Sequence, residues 1–125
     1  MIQPIVQPYD GNRMINKYDY RYITSTGKRI TVPAGFIFDG NSTPVNRFKP
    51  SRLAGALVHD YLYRFARYDD GTPCSRLEAD QIYYTILRKL GTWRITRVVF
   101  FAGLRMFGWI AWNKHRKNER EKVDT

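Results

Sequence analysis

A single cysteine, Cys74, is all the thiol that this 125-residue chain carries, so no intrachain disulfide can form and the fold must be held by its core alone. Acidic residues are also scarce: 11 Asp plus Glu stand against 21 Lys plus Arg, a formal net charge of +10. Much of the excess sits in the last third, at Arg88, Lys89, Arg94, Arg97, Arg105, Lys114, Arg116 and Lys117. That balance suits an anionic partner, but no zinc-finger or RNP signature accompanies it, so nucleic acid ranks behind an anionic lipid surface or another protein. The N-terminus has no charged region followed by a long apolar stretch, so no signal peptide is expected. Long apolar runs are missing too: Val98 to Trp112 is interrupted by Arg105 and falls short of the roughly 20 residues of a membrane span, so no transmembrane segment is expected.

What is present favours a folded domain, with 43% hydrophobic and 15% aromatic residues. The expected class is α+β, a small N-terminal antiparallel β-hairpin or sheet followed by a three-helix bundle. Residues 1–17, with Pro4 and Pro8, read as an extended arm; 18–112 form the domain; 113–125 are a charged tail. Tyr18, Tyr20 and Tyr22 alternate with charged residues as in a half-buried strand, Ser25 to Lys28 supply a turn, and Arg29 to Val32 return. Phe36 to Phe38 would be a third strand, leading into the turn-rich run Asp39-Gly40-Asn41-Ser42-Thr43-Pro44.

From Ser51 the chain is apolar on nearly every side, the mark of a buried helix. Ser75-Arg76-Leu77-Glu78 is a capping box that opens a second helix over 76–90, stopped at Gly91. A third helix is expected from about Trp93 toward Arg116, with Ile95, Val98, Val99, Ala102, Met106, Trp109 and Ile110 along one side. The first reading packs that side on the other two helices. The second lays it on a membrane surface, since Trp93, Trp109 and Trp112 flanked by Arg and Lys are what an interfacial helix uses.

The polar groups inside the first two helices carry the chemistry. A buried carboxylate needs a partner. On the second helix Leu77, Asp80, Tyr84 and Leu87 recur at core spacing, so Asp80 faces the antiparallel first helix at the turn bearing His59 and Asp60. Asp80 would fix the imidazole and leave its other nitrogen to act as base, with Tyr63 one turn on as a supporting hydroxyl. Asp60 and Asp39, with carbonyls of the Asp39 loop, would hold a divalent cation, which would polarise a carbonyl. Arg76 and Ser42 are the candidate anion or substrate contacts. The other reading makes the same trio a structural polar network that ties two helices and a loop together.

The succession Gly35-Phe36-Ile37-Phe38-Asp39-Gly40-Asn41-Ser42-Thr43-Pro44, then Val58-His59-Asp60-Tyr61-Leu62-Tyr63, Ser75-Arg76-Leu77-Glu78-Ala79-Asp80 and Arg105-Met106-Phe107-Gly108 resembles a small bacteriophage and prophage family of unknown function. The resemblance spans about residues 18 to 112 and implies phage origin, with synthesis in the host cytoplasm and a place in the virion as a further option. It transfers no activity. His59-Asp60-x-x-Tyr63 with Asp80 is also similar to the site of secreted phospholipase A(2), which implies His59 as base, Asp60 on calcium, and Asp80 with Tyr63 orienting the ring. Unlike that family, this chain has no disulfides and no glycine-rich loop before the helix. Two functions are therefore expected in parallel: a metal-assisted hydrolase acting on a bacterial envelope component, or a non-enzymatic virion protein, tail or connector-associated, that contacts other phage subunits.

Overall fold

The computed structural model describes residues 2–11, 13–38 and 50–124, with the side chains of 50, 51 and 121–124 left aside. Alternation of buried tyrosines with exposed residues makes the expected hairpin: β3 (Tyr20–Ile23) pairs antiparallel with β4 (Arg29–Val32), Tyr20 opposite Val32 and Tyr22 opposite Ile30. These four side chains face the core while Arg21 and Ile23 face out, so a period of two gives a one-sided strand pair.

The stretch expected to be an extended arm is instead a second hairpin, β1 (Val6–Asp10) with β2 (Arg13–Asn16). The other edge of β2 takes β5 (Ile37–Phe38), with Met14 opposite Phe38. Pro8 lies on β1, an edge strand, where a missing N–H breaks no central ladder. Asn16, buried, joins the two sheets: its Nδ2 donates to the carbonyls of Val32 and Pro33, each at 3.2 Å.

α1 (Pro50–Phe65) runs through the core, buried without interruption from Ala54 to His59, and packs on β4, β5, α2 (Arg76–Lys89) and α4 (Trp109–Asp124). The Ser75/Glu78 capping box is present in both directions, and the stop comes at Gly91, whose φ of +82° suits a residue without Cβ. Leu77 departs from the expected core row, 44% exposed on the first turn of α2, whereas Asp80, Ile82, Tyr83, Ile86 and Leu87 are buried.

The α+β class holds, but four helices follow the strands among the described residues, not three. The expected third helix breaks at Gly108 into α3 (Arg94–Phe107) and α4, bent by 48°. The bend turns α4 back onto α1, where Arg116 donates to the carbonyls of Tyr63 (2.9 Å) and Arg64 near the end of that helix. Residues from Asn113 onward, expected as a tail, continue α4 to Asp124. The apolar side of the expected third helix also faces the other way from the first reading. Phe100, Leu104 and Gly108 turn inward, whereas Ile95, Val98, Val99, Met106, Trp109 and Ile110 face outward and are exposed.

Candidate functional site

His59 and Tyr63 stand one turn apart on α1 and therefore share a face. Opposite them α2 presents Asp80, and the end of α3 brings Arg105. His59 and Asp80 are both 0% exposed. Oδ1 of Asp80 lies 2.8 Å from Nε2 of His59 and accepts the Tyr63 hydroxyl at 2.7 Å. Oδ2 accepts from Nη1 of Arg105 at 2.8 Å and has Nη1 of Arg76 at 3.6 Å. The His59 ring lies against Tyr63, centroids 4.1 Å apart, and against Tyr83 at 5.2 Å. Trp112 of α4 meets Tyr63 edge-on at 5.3 Å.

Burial is the largest influence on Asp80 and works to raise its pKa. The hydrogen bonds from His59, Tyr63 and Arg105 together outweigh it, so the carboxyl is held below its ordinary value. Tyr63 is pushed up, first by desolvation and then by its bond to Asp80 and by that residue's charge, so its hydroxyl stays protonated and donates. An ionised carboxylate can only accept. It follows that Nε2 of His59 carries the hydrogen of that bond, and in a neutral ring Nδ1 is then the basic nitrogen.

The structure thus brings together His59, Asp80 and Tyr63 as expected, with Asp60 half-buried at the next position of α1. Asp39 and Ser42 lie outside the described residues, and among the described residues no three His, Cys, Asp or Glu side chains converge as a metal-binding group. Arg76 is used internally: it donates to the carbonyl of Leu104 at 2.9 Å and of Arg105 at 3.3 Å, satisfying the end of α3 while adding positive charge beside Asp80.

Arg105 is the member that sequence reading missed. Its only signal was an arginine inside an apolar stretch, read as an interruption of a span. A buried aspartate that needs cations was the clue that could have paired the two.

Tyr83 is a further neighbour. Its hydroxyl is buried with no hydrogen-bond partner among the described residues, and its pKa is raised by desolvation, with the charge of Arg52 opposing and that of Asp60 reinforcing the rise. An unmet hydroxyl costs stability, so Tyr83→Phe is expected to leave the unfolding free energy unchanged or raise it by up to about 1 kcal/mol. Urea denaturation checks this; a loss of about 1 kcal/mol or more would show that the hydroxyl is bonded in solution.

Comparison with protein families identifies a domain described as "Protein of unknown function (DUF1353)" over residues 16–104, and the chain belongs to that family. The match includes His59, Tyr63, Arg76 and Asp80 and ends one residue before Arg105. No curated protein and no solved structure matches the chain.

Proposed function

We propose that the protein is a hydrolase of carboxylic esters in the bacterial envelope, with His59 as general base and Asp80 as its positioning residue. The observation that carries this is the arrangement of Asp80 on Nε2 of His59 at 2.8 Å with Tyr63 on the same oxygen. It fixes which ring nitrogen is left basic and stabilises the imidazolium that forms. Nδ1 takes a proton from water as the oxygen attacks the ester carbonyl. The proton then passes to the departing alkoxide as the carbon–oxygen bond breaks, giving an acid and an alcohol.

Burial of His59 sets a condition, since water and ester reach Nδ1 only when the groups over the ring move aside. The described donors do not form a cation site, and no step is assigned to one. A phage origin, which the motif resemblance implies, would make an envelope ester the substrate at hand.

A second reading draws on the same burial: His59 and Asp80, sealed at 0% exposure, act only as a clamp between helices in a virion subunit. Turnover of phospholipid and peptidoglycan-linked esters, with and without calcium, separates the two. The hydrolase reading expects turnover by the wild type that falls about 10²–10⁴-fold in His59→Gln while circular dichroism stays native. No turnover of any ester, with His59→Gln only lowering the melting temperature, would leave the clamp. Calcium-dependent turnover lost in Asp60→Asn would add a cation to the site.

A further inference from the structure

We propose that the outward face of α3 and the first turns of α4 lies flat on an anionic lipid bilayer. Ile95, Val98, Val99 and Met106 fall within about 100° of the circumference of α3 by its 3.6-residue period, and Trp109 and Ile110 lie beyond the bend on the first turn of α4. All are exposed, Ile95 at 71%, and Trp93 beside the helix start is 80% exposed. Among the described residues nothing covers this stripe, because α3 meets the core through its other side, at Phe100 and Leu104. A stripe of this length on a helix already satisfied internally marks a surface for another body.

The charge around the stripe says which body. From Gln81 to Asn118 the chain has no acidic residue; of the eight cations of the last third, Arg97, Arg105 and Arg116 are bonded within the protein, and Arg88, Lys89, Arg94, Lys114 and Lys117 are exposed. A second copy docked face to face would bring these two cationic sets together, at a repulsive cost. A bilayer of anionic lipid instead offers headgroup phosphates to the cations and an acyl boundary to the apolar stripe. Exposed tryptophans at both ends of α3 suit that boundary. No single helix among the described residues is long and apolar enough to cross a membrane; α3 and α4 reach that length and apolarity only as a pair, broken by a 48° bend. The stripe therefore fits in-plane docking. This holds independently of the hydrolase reading, because none of the stripe residues belongs to the His59 network.

The test uses the full chain with vesicles of phosphatidylglycerol and phosphatidylcholine, against vesicles of phosphatidylcholine alone. Flotation with the anionic vesicles and a blue shift of tryptophan emission are expected, both reduced at about 0.5 M salt. In the double variant Val99→Glu/Met106→Glu the bound fraction is expected to fall about tenfold or more, with circular dichroism and melting temperature unchanged. Equal binding by wild type and variant would overturn the assignment of this face. Resistance of the bound protein to alkaline extraction would overturn in-plane docking in favour of insertion. A dimer in sedimentation velocity that the variant disperses, without vesicle binding, would make a second copy the occupant. Failure of vesicle binding with native turnover on a soluble ester would refute the lipid face while leaving the hydrolase intact.

Discussion

Asp80→Asn is expected to lower the unfolding free energy by about 3–5 kcal/mol, the loss found when one partner of a buried ionic network is removed. Both oxygens of Asp80 accept: Oδ1 from His59 and Tyr63, Oδ2 from Arg105. An amide offers one accepting oxygen and an NH2 that donates, so the NH2 faces either Arg105, which can only donate, or His59 and Tyr63, which must both reorient to accept it. Arg105 and Arg76 also lose the negative charge that faces them. The pH dependence carries the same signature. Asp80 is held below the ordinary carboxyl value of 3.8, so its stabilisation is fully present above that value and is lost as pH falls through it toward the folded-state pKa. Asp10, Asp70 and Glu78 are shifted the same way but remain in both proteins. The diagnostic quantity is therefore the difference between wild type and Asp80→Asn. In urea denaturation it should be largest near neutral pH and shrink below about pH 4. A loss under about 1 kcal/mol, constant with pH, would mean that Asp80 is not the ionised hub of the site.

That hub was legible in part, because the signals differ in kind. The β3–β4 hairpin and the capped start of α2 are local: alternating tyrosines around a Ser-Thr-Gly turn, and Ser75 with Glu78, specify themselves within a few residues. Asp80 was legible because a carboxylate at a helical core position contradicts its surroundings, and His59 lies opposite wherever two helices run antiparallel. The β1–β2 hairpin was hidden by Pro4 and Pro8, which argue against a strand unless the strand is known to be an edge, a fact of the sheet and not of the segment. On α3 both sides are apolar, Ile95, Val98, Val99 and Met106 on one and Phe100, Phe101 and Leu104 on the other. Periodicity found the outer stripe, but nothing local says which side a core will choose. Arg105 was misread for the same reason: its meaning depends on Asp80, 25 residues earlier and on a different helix.

Gly108→Ala is expected to cost about 3 kcal/mol, from overpacking at the point where α3 gives way to α4. The backbone there, φ −62° and ψ −21°, is one that any residue adopts, so glycine is not required for its conformational freedom. Space requires it. A Cβ would stand 2.4 Å from the Tyr63 hydroxyl, 2.5 Å from the carbonyl oxygen of Leu104 and 3.1 Å from Nη1 of Arg76. The first two are closer than atoms can approach, and both the tyrosine and the arginine belong to the Asp80 network, so relief must move α4 or loosen the hydroxyl from Oδ1. A double-mutant cycle with Tyr63→Phe isolates that link. Tyr63→Phe alone is expected to cost about 1–3 kcal/mol, since a buried carboxylate loses a donor. In its background the added methyl no longer meets a hydroxyl, while the contact with the Leu104 carbonyl remains. The double variant should therefore be more stable than the sum of the single losses predicts, by about 1 kcal/mol or more. Simple additivity would show that the break at Gly108 is set by the backbone contact alone, with the site and the bend independent of each other. Coupling would mean that the hydroxyl holding Asp80 also fixes where α3 ends, and hence the angle at which the outward apolar face is presented.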